Sequence, residues 1–450
     1  MKDFSASFLF LATMAFALCL VIPKIMQAAT PTWATPVLAE LIEEGLSHNQ
    51  EIKSMEDQVE SLKEEVSFAG SLEDLRLGFG VLNLPTDTFD FDQEPMTQKV
   101  LFIAQKVPWF GTLSLKSKKT TLLVVRQQAI LEAKKLELTR KIANAYFELG
   151  FVATNLRINE RLTGLVSQLL RVAETKYASG EGLQQDVLQA QVELSKLLDE
   201  KIVLNRRHRT LEDRINELLN RESFLPVKPP EDLAYLDTKL EFDALTRQSL
   251  FKNPWLGVRQ AEIDQATVEI ELAKKDYWPD MDFRLAYGQR DEDLTGRDLP
   301  DFFSATITLS IPLWQKSRQN KKLSASIKSY EAAMKSYRNL VDSLPHRVDA
   351  LATEIMDTQE NYRLYVDALL VQSEQWARSS LAAYEVGKVE FNTMINAQVH
   401  LLRVELQAKR YLYNIYQKRA ELEEVLGGPI RTVVSSNSKI LKVYRVDGDF

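Results

Sequence analysis

The chain of 450 residues could hold two or three ordinary domains, but its 16 glycines and 15 prolines predict few and long secondary-structure elements. Charged residues make up 26% and aromatic residues 9%, a balance that excludes wholesale disorder. The formal net charge of −7 offers no basic surface to a phosphate backbone, so nucleic acid is excluded as the expected partner.

The N-terminal segment, residues 1–29, is predicted to be a cleaved secretory signal peptide. Residues 8–22 form an apolar run that is too short to span a bilayer comfortably, and the small residues Ala28 and Ala29 follow it. A retained membrane anchor is the alternative. The only cysteine, Cys19, lies in this segment, so removal of the signal leaves no thiol or disulfide chemistry.

The rest of the chain contains an internal duplication. The segment YASGEGLQQDVLQAQVEL begins at Tyr177, and the similar segment YEVGKVEFNTMINAQVHL begins at Tyr384. Earlier in the chain, Asn49 matches Asn253 in the same way. We therefore predict a first repeat over residues 30–228, a second over residues 229–430 and a C-terminal tail over residues 431–450.

The first repeat is predicted to contain two strands and a long helical hairpin. The strands lie near residues 72–84 and 98–108, and the hairpin covers residues 112–222. After Gly180, apolar residues recur alternately every fourth and every third position, which is typical of a left-handed coiled coil. We expect the chain to reverse near Gly180, because glycine accepts the backbone conformations of a tight turn.

The second repeat predicts the same elements in the same order. Its strands lie near residues 281–289 and 302–312, and its helical hairpin covers residues 315–426 with a tip near Gly387. Pro345 lies in the first helix of this hairpin, and we expect a kink there, because proline removes a backbone donor and crowds the preceding turn.

The last predicted strand alternates polar and apolar residues, with Thr306 and Thr308 on one face and Ile307 and Leu309 on the other. Such alternation is typical of a membrane-spanning β-strand. A half-buried strand of a soluble sheet, which alternates in the same way, is the alternative.

Four strands cannot close a membrane barrel alone, because lipid tolerates no unpaired strand edge. Two chains would supply eight strands, whose interior is filled by side chains, whereas three chains would supply twelve and leave a lumen. A trimer is therefore the simplest open solution. Pro108 and Pro312 mark the two equivalent points where a strand must become a helix.

With these features, the sequence resembles the TolC family of outer-membrane efflux channels. The resemblance is carried by the duplication, by the two hairpin-tip segments, and by the strand-to-helix segment QKVPWFGTLSLK, which contains Pro108 and Gly111. It implies an α+β membrane protein in which three chains form a twelve-stranded outer-membrane barrel, four strands from each, continued by an α-helical coiled-coil tunnel through the periplasm.

The resemblance also implies a function without chemistry. Members of this family are exit ducts of tripartite efflux or type I secretion systems, which receive substrate from an inner-membrane transporter through a periplasmic adaptor. We therefore expect a homotrimer in outer-membrane lipid, with these two proteins as partners and with no enzymatic activity, cofactor or metal.

The family carries acidic residues near the tunnel constriction, which implies a periplasmic gate at the hairpin tips. Asp186 occupies such a position after Gly180, whereas Thr393 and Asn396, after Gly387, replace the acids of the second repeat. The alternative is that Asp186, Thr393 and Asn396 are ordinary solvated helix residues.

An enzyme would need a constellation of reactive side chains, and the sequence offers none. The four histidines are isolated from one another, without the paired spacing of metal ligands. A periplasmic coiled-coil adaptor or structural protein without a barrel is the rival class. The two strand pairs favour the channel, because an adaptor needs only one hairpin.

Overall fold

A computed structural model describes residues 34–231, 233–237, 239–293 and 295–430. The predicted signal peptide, residues 1–29, and the predicted tail, residues 431–450, lie outside this part of the chain. The first half contains α1 (Pro36–His48), α2 (Gln50–Gly70), β1 (Arg76–Leu82), β2 (Gln98–Val107), α3 (Thr112–Ala178) and α4 (Gln184–Leu219).

The second half repeats this order of elements. It contains α5 (Phe242–Lys252), α6 (Pro254–Lys275), β3 (Asp280–Gln289), β4 (Phe302–Ser310), α7 (Gln319–Leu364), a π-helical turn (Tyr365–Leu369), α8 (Leu370–Glu385) and α9 (Phe391–Leu426). The outer strands are shorter than the predicted segments, since β1 begins at Arg76 and β4 ends at Ser310. Pro312, two residues beyond β4, has no N–H to donate to a strand ladder.

The matched residues Asn49 and Asn253 have equivalent roles in the two halves. Each is an N-cap: the Asn49 side chain accepts a hydrogen bond from the N–H of Ile52, and that of Asn253 accepts one from Trp255. Each also donates through Nδ2 to a carbonyl at the end of the following hairpin, over 2.9 Å to Leu218 and 2.8 Å to Val425. The same residue thus fastens the short helices to the hairpin in both halves.

The four described strands form one antiparallel sheet in the order β1-β2-β3-β4. The pairing of β2 with β3 joins the two halves of the chain, with Ile103 opposite Leu285. β1 and β4 are the edge strands.

The longest helix, α3, runs for 67 residues and packs against α2, α4, α6 and α9. Its central residues Tyr146 and Phe147 are fully buried in a core that also includes α1, α4 and α9. The predicted coiled-coil positions of α9 are largely buried, including Met394, Ala397 and Leu422. α9 buries a second face as well, because it lies between α3 and α7.

Pro345 lies inside α7, which continues beyond it for several turns. Its neighbour Leu344 and the nearby Val348 are completely buried, so packing against the core holds the helix across the missing backbone donor. The regular helical pattern is interrupted later, at the π-helical turn Tyr365–Leu369. The corresponding first helix of the other hairpin, α3, has no such interruption.

Candidate functional site

One face of the sheet, here called the apolar face, exposes large hydrophobic side chains to the surroundings. Phe79 is 72% exposed and Ile307 is 62% exposed. The strand register places these residues on one side: Leu77, Phe79 and Val81 of β1, Leu101 and Ile103 of β2, Phe283, Leu285 and Tyr287 of β3, and Phe303, Ala305, Ile307 and Leu309 of β4. A continuous exposed apolar surface of this kind marks contact with a membrane or a partner.

The opposite face, here called the polar face, carries charged and hydroxyl side chains. Arg76 of β1 forms an ion pair with Asp282 of β3 across the intervening strand. The Arg284 guanidinium lies 3.8 Å from the centre of the Phe102 ring, a cation–π contact. Thr306 is opposite Arg284, and Thr308 is opposite Asp282, so the hydroxyls of β4 share this polar face.

The segments between strand and helix connect the two halves of the chain. Gly111, with φ of +82°, is the N-cap of α3, a conformation that favours glycine. Trp109 donates its backbone N–H to Asp280 Oδ1 over 3.2 Å and stacks on Trp278, with ring centres 4.8 Å apart. Pro108 follows β2 directly, whereas Pro312 lies two residues after the end of β4.

The hairpin tips have the same backbone geometry in both halves. Gly180 and Gly387 each have φ of +74°, and neither has an atom within 4 Å of the position that a Cβ would occupy. Glycine is therefore favoured by the positive φ of these positions, and not by a lack of room for a side chain. Gly180 donates to the carbonyl of Tyr177 and Gly387 to that of Tyr384, over 3.1 and 3.0 Å.

Asp186 lies half-buried in the first turn of α4. Its charge affects Tyr384 of the other hairpin. Burial raises the pKa of the Tyr384 hydroxyl, and the negative charge of Asp186 raises this pKa further. The Lys176 ammonium lies 4.2 Å from the centre of the Tyr384 ring. Charged groups of the first hairpin therefore surround a buried aromatic residue of the second.

Asn396 belongs to a small polar network between the hairpins. It donates through Nδ2 to Asn392 Oδ1 over 2.8 Å, and Gln189 of α4 donates through Nε2 to the same oxygen over 2.6 Å. Thr393 is exposed beside this network. The structure thus places Asn396 with Gln189 and Asn392, while Asp186 lies with Tyr384.

The structure adds four residues to the hairpin tips, namely Lys176, Gln189, Tyr384 and Asn392. The spacing of four residues between Asn392 and Asn396 was the available signal, since it places two amides on one helix face. Gln189 pairs with Asn392 across the two hairpins, and no local pattern indicates such a pairing.

Among the described residues, no group of three or more His, Cys, Asp or Glu side chains is placed to hold a metal ion. None of the helices in this part of the chain combines the length and the apolar character needed to cross a membrane.

Comparison with protein families matches residues 245–428 to the model described as outer membrane efflux protein. No curated protein sequence gives a match.

Solved structures of outer-membrane channels have a similar fold. The outer-membrane channel OprN is 18% identical with a TM-score of 0.74, and the match covers 88% of this chain and 90% of OprN. The outer membrane protein VceC from Vibrio cholerae is 17% identical with a TM-score of 0.73, covering 87% of this chain and 96% of VceC. The CmeC outer membrane channel of Campylobacter jejuni is 12% identical with a TM-score of 0.72, covering 87% and 86%.

Proposed function

Because residues 245–428 form an outer membrane efflux protein domain, as the sequence resemblance predicted, we propose that three copies of this chain form an outer-membrane exit duct. The duct conducts substrate passively from an inner-membrane pump, through a periplasmic adaptor, to the exterior. Its barrel contains twelve strands, four from each chain, and its helices continue the passage into the periplasm.

The two-faced sheet with two open edges is the observation that carries this proposal. Its apolar face suits lipid, and its polar face, with the Arg76–Asp282 ion pair, suits a water-filled lumen. β1 and β4 each have one side that no other described strand pairs with. Pairing β4 of one copy with β1 of the next satisfies these edges and removes the unpaired backbone groups from lipid.

The purified protein is expected to be a homotrimer in detergent. Eight strands would leave little lumen, whereas twelve strands leave an open interior. Mass measurement of the detergent-solubilised full chain tests this prediction, and fractionation with a high-salt wash tests whether the protein stays with outer-membrane material. A monomer or dimer as the sole species contradicts the barrel, and release by salt alone favours the adaptor alternative.

The periplasmic gate of the duct is formed by the hairpin tips. Threefold symmetry would bring three copies of Asp186 towards one axis, and like charges in a narrow passage attract cations. The amides of Gln189, Asn392 and Asn396 join α4 to α9 without charge. Such contacts withstand salt better than ion pairs, which are screened at high ionic strength.

Single-channel conductance in a planar bilayer tests the gate. Asp186→Asn is expected to reduce cation selectivity, because it removes the charge and keeps the shape. The double variant Thr393→Ala, Asn396→Ala is expected to raise resting conductance by loosening the closed end, and Asn392→Ala should do the same because Gln189 then loses its acceptor.

Gln185→Ala is the matched control, since Gln185 is exposed in the same turn of α4 and has no side-chain hydrogen bond to the described residues. Unchanged selectivity in Asp186→Asn, together with wild-type resting conductance in the other variants, would show that these are ordinary solvated helix residues.

A further inference from the structure

A cavity of about 1050 Å³ lies where the polar face of the sheet meets the helices. Its wall includes the C-terminal end of α2, the first turn of α3, the C-terminal end of α6 and the first turn of α7. These four helices pack side by side in the order α2, α3, α6, α7, and the cavity touches both outer helices as well as the polar face of the sheet. If the chain forms the proposed duct, this cavity faces its lumen.

Three cations of the cavity wall have no ion pair within the described residues. They are Lys116 of α3, Lys275 at the end of α6, and Arg318 just before α7. The wall also contains two lysines that form ion pairs. Lys106 Nζ lies 3.8 Å from Asp280 Oδ2, and Lys322 Nζ lies 2.5 Å from Asp276 Oδ2. The unpaired three come from separate segments of the chain, and the fold brings them to one space.

Four carboxylates also line the cavity, and two of them are neutralised by the lysines just described. Asp276 pairs with Lys322 and Asp280 with Lys106. The other two, Glu73 and Asp74, are exposed in the connection between α2 and β1 and form no ion pair with the described residues. The unpaired side chains of the wall therefore carry an excess of positive charge.

Helix ends of both signs meet at the cavity, because α3 and α7 begin there while α2 and α6 end there. α3 and α7 both begin at the cavity, and neither has a side-chain cap or an acidic residue in its first turn. In contrast, α2 and α6 have N-cap side chains that accept hydrogen bonds. The Lys275 ammonium lies 3.5 Å from the Cβ position of Gly111, the N-cap of α3. A lysine at a helix N-terminus strengthens the positive field there, which attracts anions.

An aromatic surface completes the wall. Trp278 lines the cavity and is 55% exposed. It is held in place from behind, because its ring stacks on Trp109 at an interplanar angle of 8°. The cavity therefore presents a fixed aromatic ring together with unpaired cations.

We propose that this cavity binds small organic anions that carry an aromatic ring, such as aryl carboxylates or sulfonates. The anionic group lies between Lys116, Lys275 and Arg318 near the beginning of α3 and α7, and the ring contacts Trp278. This inference rests on the proposed function, because in the duct the cavity is a binding site in the lumen. Each chain contributes one such site. Anionic substrate in transit would be concentrated there by the local positive charge.

Isothermal titration of the purified full chain with 2-naphthalenesulfonate, against a detergent-matched blank, tests the proposal. Saturable binding is expected in the wild type. The double variant Lys116→Gln, Arg318→Gln should bind about tenfold more weakly or worse, because charge-assisted contacts to the anion are lost. Lys275→Gln should weaken binding in the same direction.

Lys118→Gln is the matched control, since Lys118 is exposed on α3 two residues beyond Lys116 and does not line the cavity. It should bind as the wild type does. Circular dichroism and mass in detergent verify that each variant keeps the fold and assembly of the wild type.

Two further probes separate the two parts of the site. Methanesulfonate has the same anionic group without a ring and should bind more weakly, and trimethylphenylammonium has a ring with the opposite charge and should not compete. Equal affinity of the wild type and the cation variants overturns the proposal, as does equal affinity for methanesulfonate or competition by the ammonium. Binding is measured here independently of conductance. If the protein is a trimer that does not bind 2-naphthalenesulfonate, the binding site is rejected and the duct is not. If the protein is a monomer that binds this anion, the duct is rejected and the binding site is not.

Discussion

Ile307→Arg is expected to reduce the amount of assembled protein in the outer membrane strongly, and Leu309→Arg should do the same. Both residues lie on the apolar face of an edge strand and are exposed within the single chain. An arginine that faces lipid near the bilayer midplane costs about 2 to 4 kcal/mol. In a trimer this cost occurs three times. The measurement is immunoblotting of trimer in the outer-membrane fraction.

Thr306→Arg and Thr308→Arg are the matched controls, because these neighbours face the other side of the same strand. Thr308 is opposite Asp282, so an arginine there has an acid in the next strand with which to pair. Thr308→Arg should assemble nearly as the wild type does, and Thr306→Arg, which is opposite Arg284, should lose much less than Ile307→Arg. Equal loss on both faces would mean that the assignment of lipid and lumen sides is wrong.

Phe147→Ala is expected to destabilise the helical part of the molecule by about 3 to 5 kcal/mol, the usual cost of removing a large aromatic side chain from a core. Phe147 is 0% exposed, and its ring lies 4.9 Å from that of Tyr416 of α9. The same core includes residues of α1 and α4, so the cavity left behind would loosen several elements at once. Denaturant unfolding followed by circular dichroism in detergent measures the change.

Phe251→Ala is the control for this substitution. Phe251 lies in α5 and is 82% exposed, so its truncation should change the free energy of unfolding by about 0.5 kcal/mol or less. If both variants have the free energy of unfolding of the wild type, the centre of α3 does not contribute to the stability of the core. A loss at Phe251 equal to that at Phe147 would indicate that α5 is buried by another copy of the chain.

The resemblance to the TolC family is confirmed by the family match over residues 245–428 and by the similar fold of several outer-membrane channels. The duplicated motifs made this possible, because a local pattern that occurs twice in register is far more specific than one that occurs once. The roles assigned to Asp186, Thr393 and Asn396 stay predictions. The structure adds their surroundings, namely Tyr384 for Asp186 and the Gln189–Asn392 pair for Asn396.

The sequence alone determined the features that depend on local spacing. Alternation with a period of two indicated the strands, recurrence with a period near three and a half indicated the hairpins, and glycine marked both tips. The repeated Asn49 and Asn253 indicated the duplication, and the structure shows that each is an N-cap.

Tertiary structure alone decided which distant segments meet. The pairing of β2 with β3, the Arg76–Asp282 ion pair and the cationic cavity join residues from both halves of the chain, and no local pattern specifies such contacts. Packing also supports the continuity of α7 past Pro345. Burial of Leu344 and Val348 maintains the helix across Pro345, so the effect of that proline depends on what surrounds it rather than on its place in the sequence.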